Sequence, residues 1–99
     1  MAKYFLTNKA VEDLSNIWNY TYEVRSENQA DKYYEIIIET CQEIARSPSV
    51  GKNYLEISNE ILGFGIGKHI IFYRQLKIEE IEVIRILHGQ MDLKNRIED

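Results

Sequence analysis

Two stretches near the C-terminus, KHIIFYRQL (68–76) and IEVIRILH (81–88), decide the fold of this 99-residue chain. Both are rich in isoleucine, valine or aromatic residues, which favour a β-strand over a helix. The intervening residues 77–80 are short enough for a hairpin turn. A weaker strand is predicted over residues 60–64, followed by a turn at Gly65–Gly67. The C-terminal half is therefore predicted to be an antiparallel meander of three strands.

The N-terminal half has a helical periodicity. Apolar residues recur every three or four positions in two successive segments, which is the spacing of one face of an α-helix. The first helix is predicted to be capped by Thr7 or Asn8 and to end near Arg25. The second begins with a capping box at Ser26 and ends before Pro48, which disfavours helical geometry in the residue before it. Two such helices joined by a tight link are expected to form an antiparallel hairpin.

A short strand is also predicted ahead of the helices, over residues 3–7. The element order is then β-α-α-β-β-β, which predicts an α+β fold. The helical hairpin is expected to pack on one face of a small, mainly antiparallel sheet and to leave the other face partly open. The length fits one domain over residues 1–99.

Composition and charge restrict the classes of function. Twelve Lys and Arg stand against sixteen Asp and Glu, giving a net charge of −4. This balance argues against direct, sequence-specific nucleic-acid binding, because phosphate contacts supply much of that affinity. The single cysteine, Cys41, is predicted to be a buried structural thiol. The absence of a hydrophobic leader or of a long apolar run predicts a cytoplasmic protein with no membrane contact.

Arg85 and His88 are the residues of the last strand that suggest a functional site. In a regular strand the side chains alternate between the two faces of the sheet. Val83, Arg85 and Leu87 would then lie on one face, and Ile84, Ile86 and His88 on the other. An arginine among apolar neighbours either pairs with a carboxylate or points to the open face of the sheet, and the sequence leaves both open. If the alternation breaks near Gly89, His88 comes round to Arg85. The pair would then resemble a site for RNA cleavage, with an acid–base imidazole and a cation for phosphate.

Other motifs favour structural roles. GFGIG (63–67) precedes a strand rather than a helix, so it indicates a hairpin turn and not a phosphate loop. His69, His88 and Cys41 lack the close spacing of metal ligands, so neither a metal site nor a cofactor is predicted. Most tyrosines fit core packing with the hydroxyl at the surface. Tyr73, beside an arginine, is the one candidate for stacking on a nucleic-acid base.

Three segments carry a resemblance to a known family: AVEDLSNIWNYT (10–21), GKHIIFYR (67–74) and IRILHGQMD (84–92). In this order and spacing they resemble the ParE toxins of the RelE/ParE superfamily, from type II toxin–antitoxin systems. The resemblance implies a compact toxin that inhibits DNA gyrase, contributes to plasmid stabilization and is neutralised by a ParD-like antitoxin lying along it. It implies an inhibitory binding protein rather than an enzyme.

The resemblance also implies which residues matter. Arg85 matches the arginine that both branches of the superfamily often keep on the last strand, and His88 matches the histidine of the RILH pattern. The basic cluster of the RelE nucleases is poorly represented, since Lys68 and Arg74 are the only basic residues of the middle strands. The usual ParE arginine before the second turn is absent, with ILGFGIG (61–67) in its place. The first departure argues against mRNA cleavage, and the second leaves the open face weakly basic, which argues against gyrase inhibition.

Two sets of binding residues are predicted. The C-terminal region is implicated in toxicity in this family, so the target-binding candidates are Arg85, His88, Met91, Lys94 and Arg96. The antitoxin-binding candidates are Trp18, Tyr22 and Tyr33, whose aromatic surface a docked helix would bury. Two alternatives stay open. One is a ribosome-dependent mRNA endonuclease of the RelE type, with Arg85 and His88 catalytic, and the other is a non-toxic relic that only binds an antitoxin.

Overall fold

Two helices pack on a five-stranded mixed sheet in the computed structural model of the chain, which describes residues 1–54, 57–58 and 60–89. The elements in chain order are β1 (Lys3–Leu6), α1 (Asn8–Val24), α2 (Glu27–Arg46), a short 3₁₀ turn (Pro48–Val50), β2 (Lys52–Asn53), β3 (Leu62–Ile66), β4 (His69–Lys77) and β5 (Glu80–His88). The strand order is β1-β5-β4-β3-β2. β1 runs parallel to β5, and the other pairs are antiparallel. The α+β prediction is confirmed, with β2 as an additional strand.

The helix boundaries follow from side-chain caps. Thr7 caps α1, because its hydroxyl oxygen accepts the Ala10 N–H at 3.1 Å. The same hydroxyl donates to the Ile84 carbonyl at 2.7 Å, which ties the start of α1 to β5. Ser26 caps α2 by accepting from the Gln29 N–H at 3.1 Å. The link between the helices is therefore only two residues long, and the helices pack as the predicted hairpin.

The main core lies between the helices and one face of the sheet. Its buried helical members are Ala10, Leu14, Ile17, Ile37, Cys41, Ile44 and Ala45, and its buried strand members are Ile71, Tyr73, Ile81, Val83 and Ile86. Cys41 is fully buried, as predicted, and burial raises the pKa of its thiol to about 12. A thiol held in its neutral form in this way is a packing group rather than a nucleophile.

A second apolar cluster covers part of the opposite face of the sheet. Phe72 and Leu87 are buried there with Ile61. Tyr54 and Ile57, from the segment before β3, pack against them. This face is therefore less open than the sequence suggests, because Tyr54 and Ile57 cover part of it.

A β-bulge changes which residues of β5 share a face. Phe72 pairs with Arg85 but Tyr73 pairs with Val83, so Ile84 has no partner in the register. Val83 and Ile86 consequently both belong to the core on the helix side, whereas Ile84 and Leu87 belong to the opposite cluster. The predicted strict alternation is wrong beyond Arg85 for this reason.

Candidate functional site

Arg85 is bound by a carboxylate from α1. Its Nε donates to Asp13 Oδ2 at 2.8 Å and its Nη2 to Asp13 Oδ1 at 3.0 Å, a two-point contact. Asp13 Oδ2 also accepts the backbone N–H of Ile86 at 3.0 Å. The two side chains are only 14% and 11% exposed. Of the two options that the sequence left open for Arg85, the structure selects the carboxylate partner, and the pair fastens α1 to β5 just after the bulge.

His88 lies against a second histidine, His69, in the neighbouring strand. The Gly89 N–H donates to the Lys68 carbonyl at 2.9 Å. In an antiparallel ladder, a bond at this position means that the neighbouring residues His69 and His88 form a non-hydrogen-bonded pair. Side chains approach each other most closely at such positions. The two ring centroids are 5.5 Å apart, and the ring planes are nearly perpendicular at 79°.

His69 is oriented by a hydroxyl from α2. Its Nδ1 lies 2.7 Å from the Tyr33 hydroxyl, which donates its own proton to the Ile66 carbonyl at 3.1 Å. This network assigns the imidazole proton to Nδ1, because the hydroxyl oxygen can then accept it. Burial lowers the pKa of His69, the proximity of His88 lowers it further, and Asp13 opposes the shift. His69 is therefore neutral near pH 7.

We expect this histidine to make the folded state sensitive to acid. Because the pKa of His69 is lower in the folded protein than its ordinary value of 6.5, the unfolded chain binds the proton more readily. The contribution to stability is fully present above about pH 6.5 and is lost as the pH falls through the folded pKa. Urea unfolding from about pH 8 to about pH 5 should show a shallower decline for His69→Asn than for the wild type. Parallel curves would contradict the prediction.

A groove of about 1020 Å³ brings these residues together. Its walls are α1, the residues after α1, the start of α2, the turn between β3 and β4, and the end of β5. Besides Asp13, Arg85 and the two histidines, its lining includes the cations Arg25 and Lys68. Both are exposed, and neither side chain forms an ion pair with any residue the structure describes. Sequence reasoning did not place Arg25, Lys68 or His69 in a site.

The three aromatic residues predicted to bind an antitoxin do not form one surface. Trp18 and Tyr22 stack with ring centroids 5.3 Å apart and planes 8° from parallel. The Trp18 indole N–H donates to Asp31 Oδ1 at 2.9 Å across the helical hairpin. Tyr33 instead lines the groove, where it holds His69.

Met91, Lys94 and Arg96 lie outside the described residues. Tyr73 is fully buried, and its hydroxyl donates to the Pro48 carbonyl at 2.6 Å and accepts from the Gly51 N–H at 2.9 Å. It therefore cannot serve as an exposed stacking platform. In the part of the chain that the structure describes, no His, Cys, Asp and Glu side chains form a group of three or more suited to a metal ion. No described helix is long and apolar enough to cross a membrane.

The sequence matches a family described as the ParE toxin of the type II toxin–antitoxin system, parDE, over residues 4–93. Toxin ParE1 of Mycobacterium tuberculosis is 29% identical over 96 residues, covering 97% of this chain and 98% of the relative. Toxin ParE1 of Caulobacter vibrioides is 30% identical over 94 residues, covering 95% and 96%. A solved structure titled as the chromosomal ParDE TA system from P. aeruginosa has the same fold. Its TM-score is 0.74 at 20% identity, covering 89% of this chain and 96% of that one. The chain belongs to the ParE toxin family of type II toxin–antitoxin systems.

Proposed function

We propose that this protein is a cytoplasmic toxin that inhibits DNA gyrase and that a ParD-like antitoxin neutralises it. The family match over residues 4–93 supports a toxin with an antitoxin partner. The structural observation that carries the choice of inhibitor over nuclease is the ion pair between Arg85 and Asp13. A guanidinium held at two points by a largely buried carboxylate is not available to stabilise phosphate charge.

In this proposal the end of β5 is a protein-binding surface. Arg85 contributes by fixing the end of the strand against α1, and His88 by lining the groove. The other proposed gyrase contacts are Met91, Lys94 and Arg96, which follow directly in the sequence. The charge balance agrees with this assignment, because a chain of net charge −4 has a poor surface for direct binding to nucleic acid.

A second candidate is an mRNA endonuclease, and the paired imidazoles are the observation that favours it. A neutral His69 is suited to accept a proton, and His88 faces it across the strands beside Lys68. In the endonuclease hypothesis, Arg85 does not serve as a phosphate ligand. It predicts that His69→Asn abolishes toxicity, whereas the inhibitor hypothesis, in which His69 is not a gyrase contact, predicts that toxicity survives this change.

The experiment that tests the proposal is gyrase supercoiling of relaxed plasmid, with the purified protein added and linear DNA resolved on the gel. We expect inhibition of supercoiling together with accumulation of linear DNA, and suppression of both by prior mixing with the antitoxin. Heat-denatured protein at the same concentration is the control. Full supercoiling at a large excess of protein would overturn gyrase as the target, and ribosome-dependent mRNA cleavage would then be assayed on the same preparation.

A further inference from the structure

We propose that the groove beside β5 binds an acidic, amphipathic segment of the antitoxin, and that protonation of His69, which lies against His88, strengthens this binding. The inference rests on the proposed function in that the partner is the antitoxin. It goes further by assigning the surface, the chemistry of the bound segment and the response to pH. None of these follows from the family match.

The charge of the groove differs in sign from that of the whole chain. Its described lining contains three cations, Arg25, Lys68 and Arg85, and one carboxylate, Asp13. Asp13 and Arg85 neutralise each other, so Arg25 and Lys68 give the groove a local positive charge on a chain of net charge −4. Complementary charge selects partners and speeds their encounter more than it adds affinity. The groove therefore favours a ligand that carries carboxylates.

The groove also has an apolar wall. Tyr20 and Val24 lie one turn apart on α1 and line it, and they are 67% and 56% exposed. Below them, Ile17 closes the wall towards the core. A ligand that covers Tyr20 and Val24 while its carboxylates reach Arg25 and Lys68 must be apolar on one side and acidic on the other, as an amphipathic helix is.

A nucleic acid fits this surface less well than a protein segment. A polyanion would extend beyond the groove over the outer surface of the helical hairpin. The exposed carboxylates of Glu12, Glu23 and Glu27 lie there. Like charges placed opposite each other oppose binding. A peptide can confine its carboxylates to the groove and avoid this repulsion, so the observations favour a protein ligand.

His69, paired with His88, makes binding in the groove depend on pH. The groups facing it are Asp13 from α1, Tyr33 from α2, Arg85 from β5, and the cations Arg25 and Lys68 at the rim. Burial and the neighbouring His88 keep His69 neutral in the free protein. A bound carboxylate favours the charged imidazolium. Because linkage is reciprocal, protonation of His69 must in turn favour binding of the acidic segment.

The test is the affinity of the antitoxin for the intact protein, measured by titration calorimetry at about pH 6 and about pH 8. We expect Lys68→Glu and Arg25→Glu each to weaken binding by about tenfold, because each places like charges together. Lys32→Glu makes the same charge change on the exposed side of α2, outside the groove, and should change the affinity less than about twofold. We expect wild-type binding to be about fivefold tighter at the lower pH, and this difference to vanish in the double variant His69→Asn/His88→Gln.

Other outcomes would overturn the inference in distinguishable ways. Two results would show that the antitoxin binds outside the groove: equal losses of affinity in Lys68→Glu and Lys32→Glu, or a pH difference that survives in the double histidine variant. The antitoxin would still be the partner. Weakening by Tyr22→Glu but not by Lys68→Glu would place the contact on the Trp18–Tyr22 stack. Binding of a single-stranded oligonucleotide that depends on Lys68 would assign the groove to nucleic acid. No binding of the antitoxin to the wild type would overturn the neutralisation in the proposed function as well.

Discussion

Asp13→Ala is expected to lower the free energy of unfolding by about 3 kcal/mol, the lower end of the cost of removing one partner of a buried ion pair, because this pair is largely but not fully buried. Asp13 accepts three hydrogen bonds, two from the Arg85 guanidinium and one from the Ile86 N–H. Its removal takes the carboxylate from a guanidinium that is 14% exposed and leaves the Ile86 N–H without this acceptor. Urea denaturation near pH 7 measures the loss.

Two companion variants show whether the ion pair is the cause. Asp31→Ala removes a carboxylate of the same type from α2, where it accepts one exposed hydrogen bond from Trp18, and should cost less than about 1 kcal/mol. In the double variant Asp13→Ala/Arg85→Met the largely buried guanidinium is removed together with its carboxylate, so much of the stability should return. A double variant no more stable than Asp13→Ala would show that the buried charge is not the source of the loss.

Gly51→Ala is expected to destabilise the fold by about 1–3 kcal/mol, the range for overpacking in a well-packed interior. A Cβ at position 51 would lie 2.2 Å from the Tyr73 hydroxyl oxygen and 2.8 Å from its ring. Tyr73 is fully buried and cannot withdraw, and its hydroxyl is already fixed between the Pro48 carbonyl and the Gly51 N–H. Thermal unfolding followed by circular dichroism should therefore show a clearly lower midpoint.

Gly65→Ala is the matched control for this prediction. Gly65 lies in β3, is exposed, and has no atom within 4 Å of the position that a Cβ would occupy. Alanine there should leave the stability unchanged or raise it slightly, because glycine loses more conformational freedom on folding than alanine. If the two variants unfolded at the same midpoint, the contact between Gly51 and Tyr73 would not be what limits that position.

Most of the architecture was predictable because it depends on local patterns. The change from a helical to a strand-like period located the elements, and the hydroxyls of Thr7 and Ser26 located both helix starts. β2 was not predicted, because a strand of two residues is too short to show a periodicity. The bulge at Ile84 was not predicted, because it depends on the register between β4 and β5 and not on any residue pattern within β5.

The site was harder to predict, since its contacts join residues far apart in the chain. Asp13 and Arg85 are 72 positions apart, and the sequence around neither residue indicates that the other is its partner. The histidine pair did leave a signal in the numbering. Lys77 pairs with Glu80 at the turn, and counting eight residues outward in both directions reaches His69 and His88. The register shifts in opposite senses at two places along the hairpin, so the simple count from the turn happens to be right.

The parallel pairing of β1 with β5 has a consequence for how the chain is made. The first strand to leave the ribosome pairs only with the last strand of the sheet, and Thr7 bonds to Ile84, 77 residues later. The helical hairpin can form early from local contacts, whereas the pairing of β1 has to wait until β5 has been made. A nascent or prematurely terminated chain therefore carries β1 with no neighbour and lacks one wall of the groove. A chain that ends before β5 therefore cannot form the groove that we propose as a binding surface.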